Sequence, residues 1–171
     1  TAFVNNYFGG IALSAQTTRE TPDAEPHSTR LVGIHINNPG DDRYINNIFA
    51  GTGPTFSPGW GGMDQQQLDQ MPFDMEGNLY LNGAVPPVFD KHPVVLEDVT
   101  PPFRLVNSAG RVEWSVDPVW RSAQHRPIVT AERLGTAQVP GLPYEMPDGS
   151  PVKVARDFSG VVRDAANTMP G

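Results

Sequence analysis

An eight-residue pattern occurs twice early in the chain, as FVNNYFGG at 3–10 and as YINNIFAG at 44–51. Each copy reads aromatic, β-branched, Asn-Asn, bulky, Phe, small, Gly. Period-two alternation puts Phe3, Asn5 and Tyr7 on one face of a strand and Val4, Asn6 and Phe8 on the other. Each face then carries an asparagine among hydrophobes. A buried amide without a partner costs roughly 1–3 kcal/mol. Strands piled in parallel remove that cost, because each amide donates to one neighbour in the pile and accepts from the other. The predicted fold class is therefore all-β: coils of a right-handed parallel β-helix, each burying its face on the next.

Val4 and Ile45 stand 41 residues apart, room for about two coils. TRLVGIHI (29–36) is expected as a strand between them, QTTRETPDAEP as an excursion and NLYLNGA (78–84) as a further strand. Beyond about Asn82 the texture changes. FRLV and RVEWSV alternate on either side of a Ser-Ala-Gly turn, RPIVTAERLG and PVKVARDF suggest further short strands, and VPGLPYEMPDGSP reads as a surface strap. The expected organisation is coils over 1–98 and an irregular, proline-rich β cap over 99–171, laid on the end of the stack. No apolar stripe of helical period runs for three turns. With 18 prolines and 17 glycines in 171 residues but 38% hydrophobic residues, the chain is turn-rich and folded.

A net charge of −7 with two lysines leaves no basic face for nucleic acid. No apolar run approaches the roughly 20 residues that span a bilayer. Zero cysteine excludes disulfides and thiolate metal sites, and the reading leans to a soluble, cytoplasmic chain over a secreted one. The start inside a strand and the end at MPG suggest one fragment of a larger domain. Phe3, Val4, Tyr7, Phe8, Ile11 and Leu13 should then be less buried than their types warrant, and the chain alone should be either poorly stable or self-associated, as a homo-oligomer, through that open end.

The candidate chemical groups cluster between residues 26 and 51. His27 follows a proline at the end of an acidic excursion, where it either caps a turn or contacts a ligand. Asp41, Asp42 and Arg43 follow a Pro-Gly turn. Adjacent strand side chains diverge, so the two aspartates form no dyad. Either Asp41 accepts backbone bonds in the turn and Arg43 pairs with a neighbouring coil, or an aspartate and the arginine recognise hydroxyls in a groove. His35 reads as a packed strand residue, and its spacing from His27 makes no zinc site. Trp60, in SPGWGG, either stacks on a sugar ring or folds back onto the core. Two carboxyl groups about 5–10 Å apart are needed for glycoside hydrolysis, and no pair in the chain is singled out.

The segments EPHSTRLVGIHINNPGDDRYINNIFAG, TAFVNNYFGG and VPGLPYEMPDGSPVKVARDFSG together resemble the C-terminal part of parallel β-helix glycoside hydrolases, most closely the family 120 β-xylosidases. The resemblance covers nearly the whole chain. It implies a retaining hydrolase that releases xylose from the non-reducing ends of xylo-oligosaccharides, using an aspartate nucleophile and a glutamate acid/base and no metal or other cofactor. Neither catalytic residue matches a position here, so the chain alone is expected to be inert. His27 in PHST and Asp41, Asp42 and Arg43 in GDDRY match, as contributors to the sugar pocket or its surroundings; His27 and Arg43 are the leading candidates for hydroxyl contacts. The expected partner is an oligosaccharide, with neither nucleic acid nor membrane. A β-helical polysaccharide lyase is the rival enzyme, disfavoured by the scarcity of lysine. A non-enzymatic β-helical binding module is the other rival, disfavoured by the irregular coils and the long cap.

Overall fold

The computed structural model describes residues 1–9, 20–36, 41–51, 53–54, 73–100, 103–108, 110–116, 126–138 and 140–171. These are nearly all strand and turn. The repeated pattern makes a corner rather than one straight strand. In its first copy, β1 (Ala2–Val4) and β2 (Tyr7–Phe8) are separate strands, because Asn5 adopts a left-handed backbone with φ of 55°. Asparagine tolerates that region better than most residues. The alternation expected across Phe3–Phe8 therefore breaks at the Asn pair, and the two halves belong to different sheets.

The chain next leaves the stack as an antiparallel hairpin of β3 (Glu20–Ala24) and β4 (Leu31–Ile36). It returns as a second rung of β5 (Asp42–Ile45), β6 (Ile48–Ala50) and β7 (Gly53–Pro54). Ala2 pairs directly with Arg43. The 41-residue interval is thus one step plus an excursion, not two coils, and Leu31–Ile36 is a hairpin arm rather than a stacked strand. A third rung follows, of β8 (Phe73–Glu76), β9 (Leu79–Leu81) and β10 (Ala84–Val85), and a fourth of β11 (Asp90–Lys91) and β12 (Val94–Leu96). The two four-stranded sheets run β1-β5-β8-β11 and β12-β9-β6-β2, with every neighbouring pair parallel. Asn5, Asn46, Gly77 and His92 occupy one left-handed corner in the four rungs, at φ of 55°, 56°, 65° and 58°. Gly77 and His92 at that corner hide the third and fourth copies of the pattern in the sequence.

The second member of each pair builds the expected ladder. Asn6 Nδ2 donates to Asn47 Oδ1 at 3.3 Å, and Asn47 Nδ2 donates to Asn78 Oδ1 at 3.1 Å. Each accepting oxygen also takes the backbone N–H of the rung before it, Asn6 N and Asn47 N, both at 2.9 Å. Asn47 and Asn78 donate their remaining amide hydrogens back to the carbonyls of Phe3 and Tyr44 at 2.9 and 2.8 Å. Both side chains are fully buried and fully used.

Packing follows the same stacking. Phe8, Phe49 and Tyr80 pile ring on ring with centroids 4.9 and 5.3 Å apart. On the opposite face of those strands lie Ile48, Ala50, Leu79 and Leu81. With both faces covered, IFA and LYL read as continuous apolar runs. A fully buried side chain of this size contributes about 1.5–3 kcal/mol. In the first rung Phe3, Val4, Tyr7 and Phe8 are half-buried, whereas Tyr44, Ile45, Ile48 and Phe49 beneath them are buried. Ile11 and Leu13 lie outside the described residues.

β13 (Phe103–Ser108) and β14 (Arg111–Val116) form the antiparallel hairpin expected around the Ser-Ala-Gly turn. The segment after residue 126 contains α1 (Ala131–Leu134), the short antiparallel pair β15 (Thr136–Ala137) and β16 (Leu142–Pro143), and isolated bridges such as Thr130–Lys153. The strands expected in RPIVTAERLG and PVKVARDF are thus single bridges and one helical turn. Val129 and Leu134 pack on Ile45, with Ala2 and Val4 alongside. The segment therefore lies along the outer face of the first sheet and not over the end of the stack. Among the described residues, no helix is long and apolar enough to cross a membrane.

Candidate functional site

Three of the four candidate residues sit where the second rung begins. Asp41 has φ of 52°, a conformation that short polar side chains tolerate, and its carboxylate points toward the segment after residue 126. Asp41 Oδ2 accepts the backbone N–H of Gln138 at 3.0 Å, and Oδ1 pairs with Arg43. Arg43 lies on the outward face of β5. Its Nε donates to the Leu134 carbonyl at 3.0 Å, Nη1 to the Asp41 carbonyl at 2.8 Å and Nη2 to the Thr136 carbonyl at 2.9 Å. Its guanidinium carbon stands 5.3 Å from the centre of the Tyr144 ring. Burial pushes the Tyr144 hydroxyl up from its ordinary value, with Arg43 opposing. A planar fork with five donors suits this arrangement of carbonyls and carboxylate. Arg43 is a clasp between the stack and the segment packed on it, spending most of its hydrogen-bonding capacity within the protein. Asp42 is half-exposed, with Oδ1 3.1 Å from the Thr1 nitrogen.

A second arginine makes the reverse connection. Arg133 of α1 donates to Asp74 at 2.6 Å and also pairs with Glu76, both on the outward face of β8. Lys91 reaches Asp74 at 3.1 Å. Burial pushes the Asp74 carboxyl up, but Arg133 and Lys91 outweigh it and hold the group below its ordinary value. Sequence reading missed this cluster, since Phe73–Glu76 closes the acidic run DQQQLDQMPFDME (64–76), which by itself reads as a solvated loop. Its signal is the alternation of Asp74 and Glu76 with Phe73 and Met75, characteristic of a strand with one polar face.

His27 lies elsewhere in the chain but not far away in space. It occupies the turn of the β3–β4 hairpin with φ of 56°, and its Nε2 stands 3.0 Å from Glu145 Oε2. Glu145 directly follows Tyr144, the residue under Arg43. Two consecutive residues, with Cα atoms about 3.8 Å apart, therefore join His27 to the Asp41–Arg43 clasp. His27 and Glu145 are the solvent-facing members of this junction, and Asp41 and Arg43 are its buried frame; Asp42 stands next to that frame, against Thr1. Among the described residues, no three of His, Cys, Asp and Glu converge closely enough to hold a metal ion. Trp60 and residues 64–72 of the acidic run lie outside the described residues.

Sequence reading also missed the carboxyl that ends the ladder. In the fourth rung the asparagine position is taken by Pro93, since Leu79 pairs with Val94. Asp90 Oδ2 accepts from Asn78 Nδ2 at 3.0 Å instead, and from the Tyr80 hydroxyl at 2.5 Å. Burial pushes Asp90 up to about 6, with Tyr80 and Asn78 opposing and the Glu76 carboxylate adding to the rise.

No protein-family model and no curated protein matches the chain. A solved structure, the complex of XylC with xylose, matches it with a TM-score of 0.78 at 23% identity, over 99% of this chain. The two share a fold. The chain spans 30% of the length of the XylC chain.

Proposed function

We propose that the four rungs are the C-terminal coils of a right-handed parallel β-helix, that residues 99–171 are a β-rich C-terminal segment of the same domain, and that the whole belongs to a glycosidase of the β-xylosidase type. The reaction is release of xylose from the non-reducing end of xylo-oligosaccharides with retention. Retention requires two carboxyl groups about 5–5.5 Å apart, one a nucleophile and one an acid/base. On this reading both stand on coils outside this chain, in keeping with its spanning 30% of the XylC chain. The residues here frame the sugar pocket. His27 and Asp42 face the sugar hydroxyls, with Glu145 orienting the imidazole, while Asp41 and Arg43 are positioning residues that hold the segment after residue 126 against the coils.

The observation that best supports this is the junction itself. His27 of PHST and Arg43 of GDDRY both meet a segment about a hundred residues further on, at Glu145 and Tyr144. A purely structural stack gains little by gathering exposed imidazole and carboxylates at one edge. A titration of the 171-residue chain with xylose, followed by amide and imidazole shifts, tests the role. Weak perturbation grouped at His27, Asp42 and Glu145, absent with an equal concentration of a uronic acid, supports it. No perturbation at those residues, or the same response to both sugars, refutes a xylose-facing junction.

A further inference from the structure

We propose that the Asp90 carboxyl is a proton-operated latch on the fourth rung: neutral Asp90 holds Asp90–Leu96 in the stack, and ionised Asp90 loosens that rung. The inference goes beyond the proposed function and does not rest on it. Its basis is the way the ladder ends. Within the ladder every accepting oxygen belongs to a neutral amide, and a neutral group carries no penalty for removal of a charge from water. At the last step the acceptor is a carboxyl. Asp90 is 8% exposed, Oδ2 takes both donors, and Oδ1 is buried with no hydrogen-bond partner among the described residues. A carboxylate has room for about four donors over its two oxygens, so the ionised form is half-satisfied in a dry core.

The neutral form fits better. With the carboxyl protonated, Oδ2 still accepts from Tyr80 and Asn78, and no charge is left in the dry core. The charged groups around Asp90 do not rescue its ionised form. Glu76 on β8 repels it; Arg126 attracts it weakly and is the last of the causes that act on it. Lys91 and His92, which follow it on the same rung, are turned to Asp74 and Glu76 at 3.1 and 3.7 Å. The rise of Asp90 to about 6 is the titration signature of this arrangement.

The sign follows by linkage. A carboxyl raised from 3.8 to about 6 favours the closed rung fully below pH ~4, and that contribution is lost as pH rises toward 6. The fourth rung is the part able to respond, because among the described residues β11 and β12 are edge strands, each with a neighbour on one side.

Hydrogen exchange on the 171-residue chain reads the latch directly. The Gly77 N–H donates to the Lys91 carbonyl at 2.9 Å and the Val94 N–H to the Asn78 carbonyl at 3.0 Å, so both report opening of the fourth rung. The Leu79 N–H donates to the Asn47 carbonyl at 2.8 Å and serves as the interior control. Corrected for intrinsic rates, protection at Gly77 and Val94 should fall roughly 25-fold between pH 4.5 and 7.5, with Leu79 changing much less. Asp90→Asn keeps an oxygen for both donors and cannot ionise, so its protection should be flat across that range. Tyr80→Phe removes a donor that favours the carboxylate and should move the midpoint to higher pH. A fall of equal size in Asp90→Asn, or no fall in the unaltered chain, overturns the proposal. Should Asp90→Asn fail to fold, a Tyr80→Phe midpoint that stays put or moves down overturns it as well.

Discussion

Replacing Asn47 by alanine isolates what the ladder contributes. The side chain is fully buried and makes four contacts. Its loss leaves the Phe3 carbonyl without the amide at 2.9 Å and the Asn6 N–H without the oxygen at 2.9 Å. Asn78 Oδ1 keeps the Asn47 backbone N–H and is affected little. The Asn6 amide belongs to an exposed residue and can turn to water. Two orphaned backbone groups at roughly 1–3 kcal/mol each, with a small void added, give a loss of about 3–5 kcal/mol. Asn6→Ala is the control at the open end of the same ladder. It removes an exposed amide while Asn47 Oδ1 retains the Asn6 N–H, so its cost should stay near 1 kcal/mol. Urea unfolding by circular dichroism separates the two if the slope with denaturant is unchanged. Equal losses for Asn47→Ala and Asn6→Ala would refute the idea that stacking, rather than each corner's own geometry, stabilises the asparagines.

Arg43→Ala should cost about 3–5 kcal/mol, because it strands the Asp41 carboxylate, whose side chain is 8% exposed, without its ion pair; thermal unfolding measures this. An unchanged melting temperature with weakened xylose binding would instead make Arg43 a sugar contact. Arg133→Ala should cost about 1 kcal/mol, since that pair is roughly a third exposed and screened, and raising salt should shrink the difference. Leu79→Ala, at a fully buried position between rungs, should cost about 2–5 kcal/mol in the same unfolding assay. Asp90→Asn should stabilise the chain at pH 7 relative to the unaltered protein by up to about 3 kcal/mol, from two pKa units at about 1.4 kcal/mol each. That advantage should vanish at pH 4, where the native carboxyl is neutral.

The stacked strands were legible because burying asparagine has few solutions. FVNNYFGG and YINNIFAG demand partners for their amides, and parallel stacking supplies them without other side chains. The corner was not legible, since left-handed backbone at Asn5 and Asn46 leaves the same letters as an alternating strand. Gly77 reaches that conformation with no side chain at all, so the third rung carries the corner without the Asn-Asn mark. The hairpin at Glu20–Ala24 and Leu31–Ile36 misled for another reason. Leu31, Val32 and Ile34 are apolar yet exposed at 63%, 53% and 71%, so hydrophobicity pointed to a core strand where the structure has a hairpin arm. At the candidate site, GDDRY was legible as a cluster of charge. Its partners were not, because Leu134, Thr136, Gln138 and Tyr144 meet it through carbonyls, an amide and a ring face, which no local pattern marks.

The proposed activity is tested most directly by the anomeric configuration of the first sugar released. A protein in which these 171 residues continue an N-terminal stack of further coils should be given an aryl β-xyloside and followed by proton NMR from the first seconds. Xylose appearing first as the β-anomer, with none formed by the 171-residue chain alone, is the predicted result. Release as the α-anomer, an unsaturated product formed by elimination from a uronide polymer but no xylose from the xyloside, or full activity in the 171 residues by themselves would contradict it.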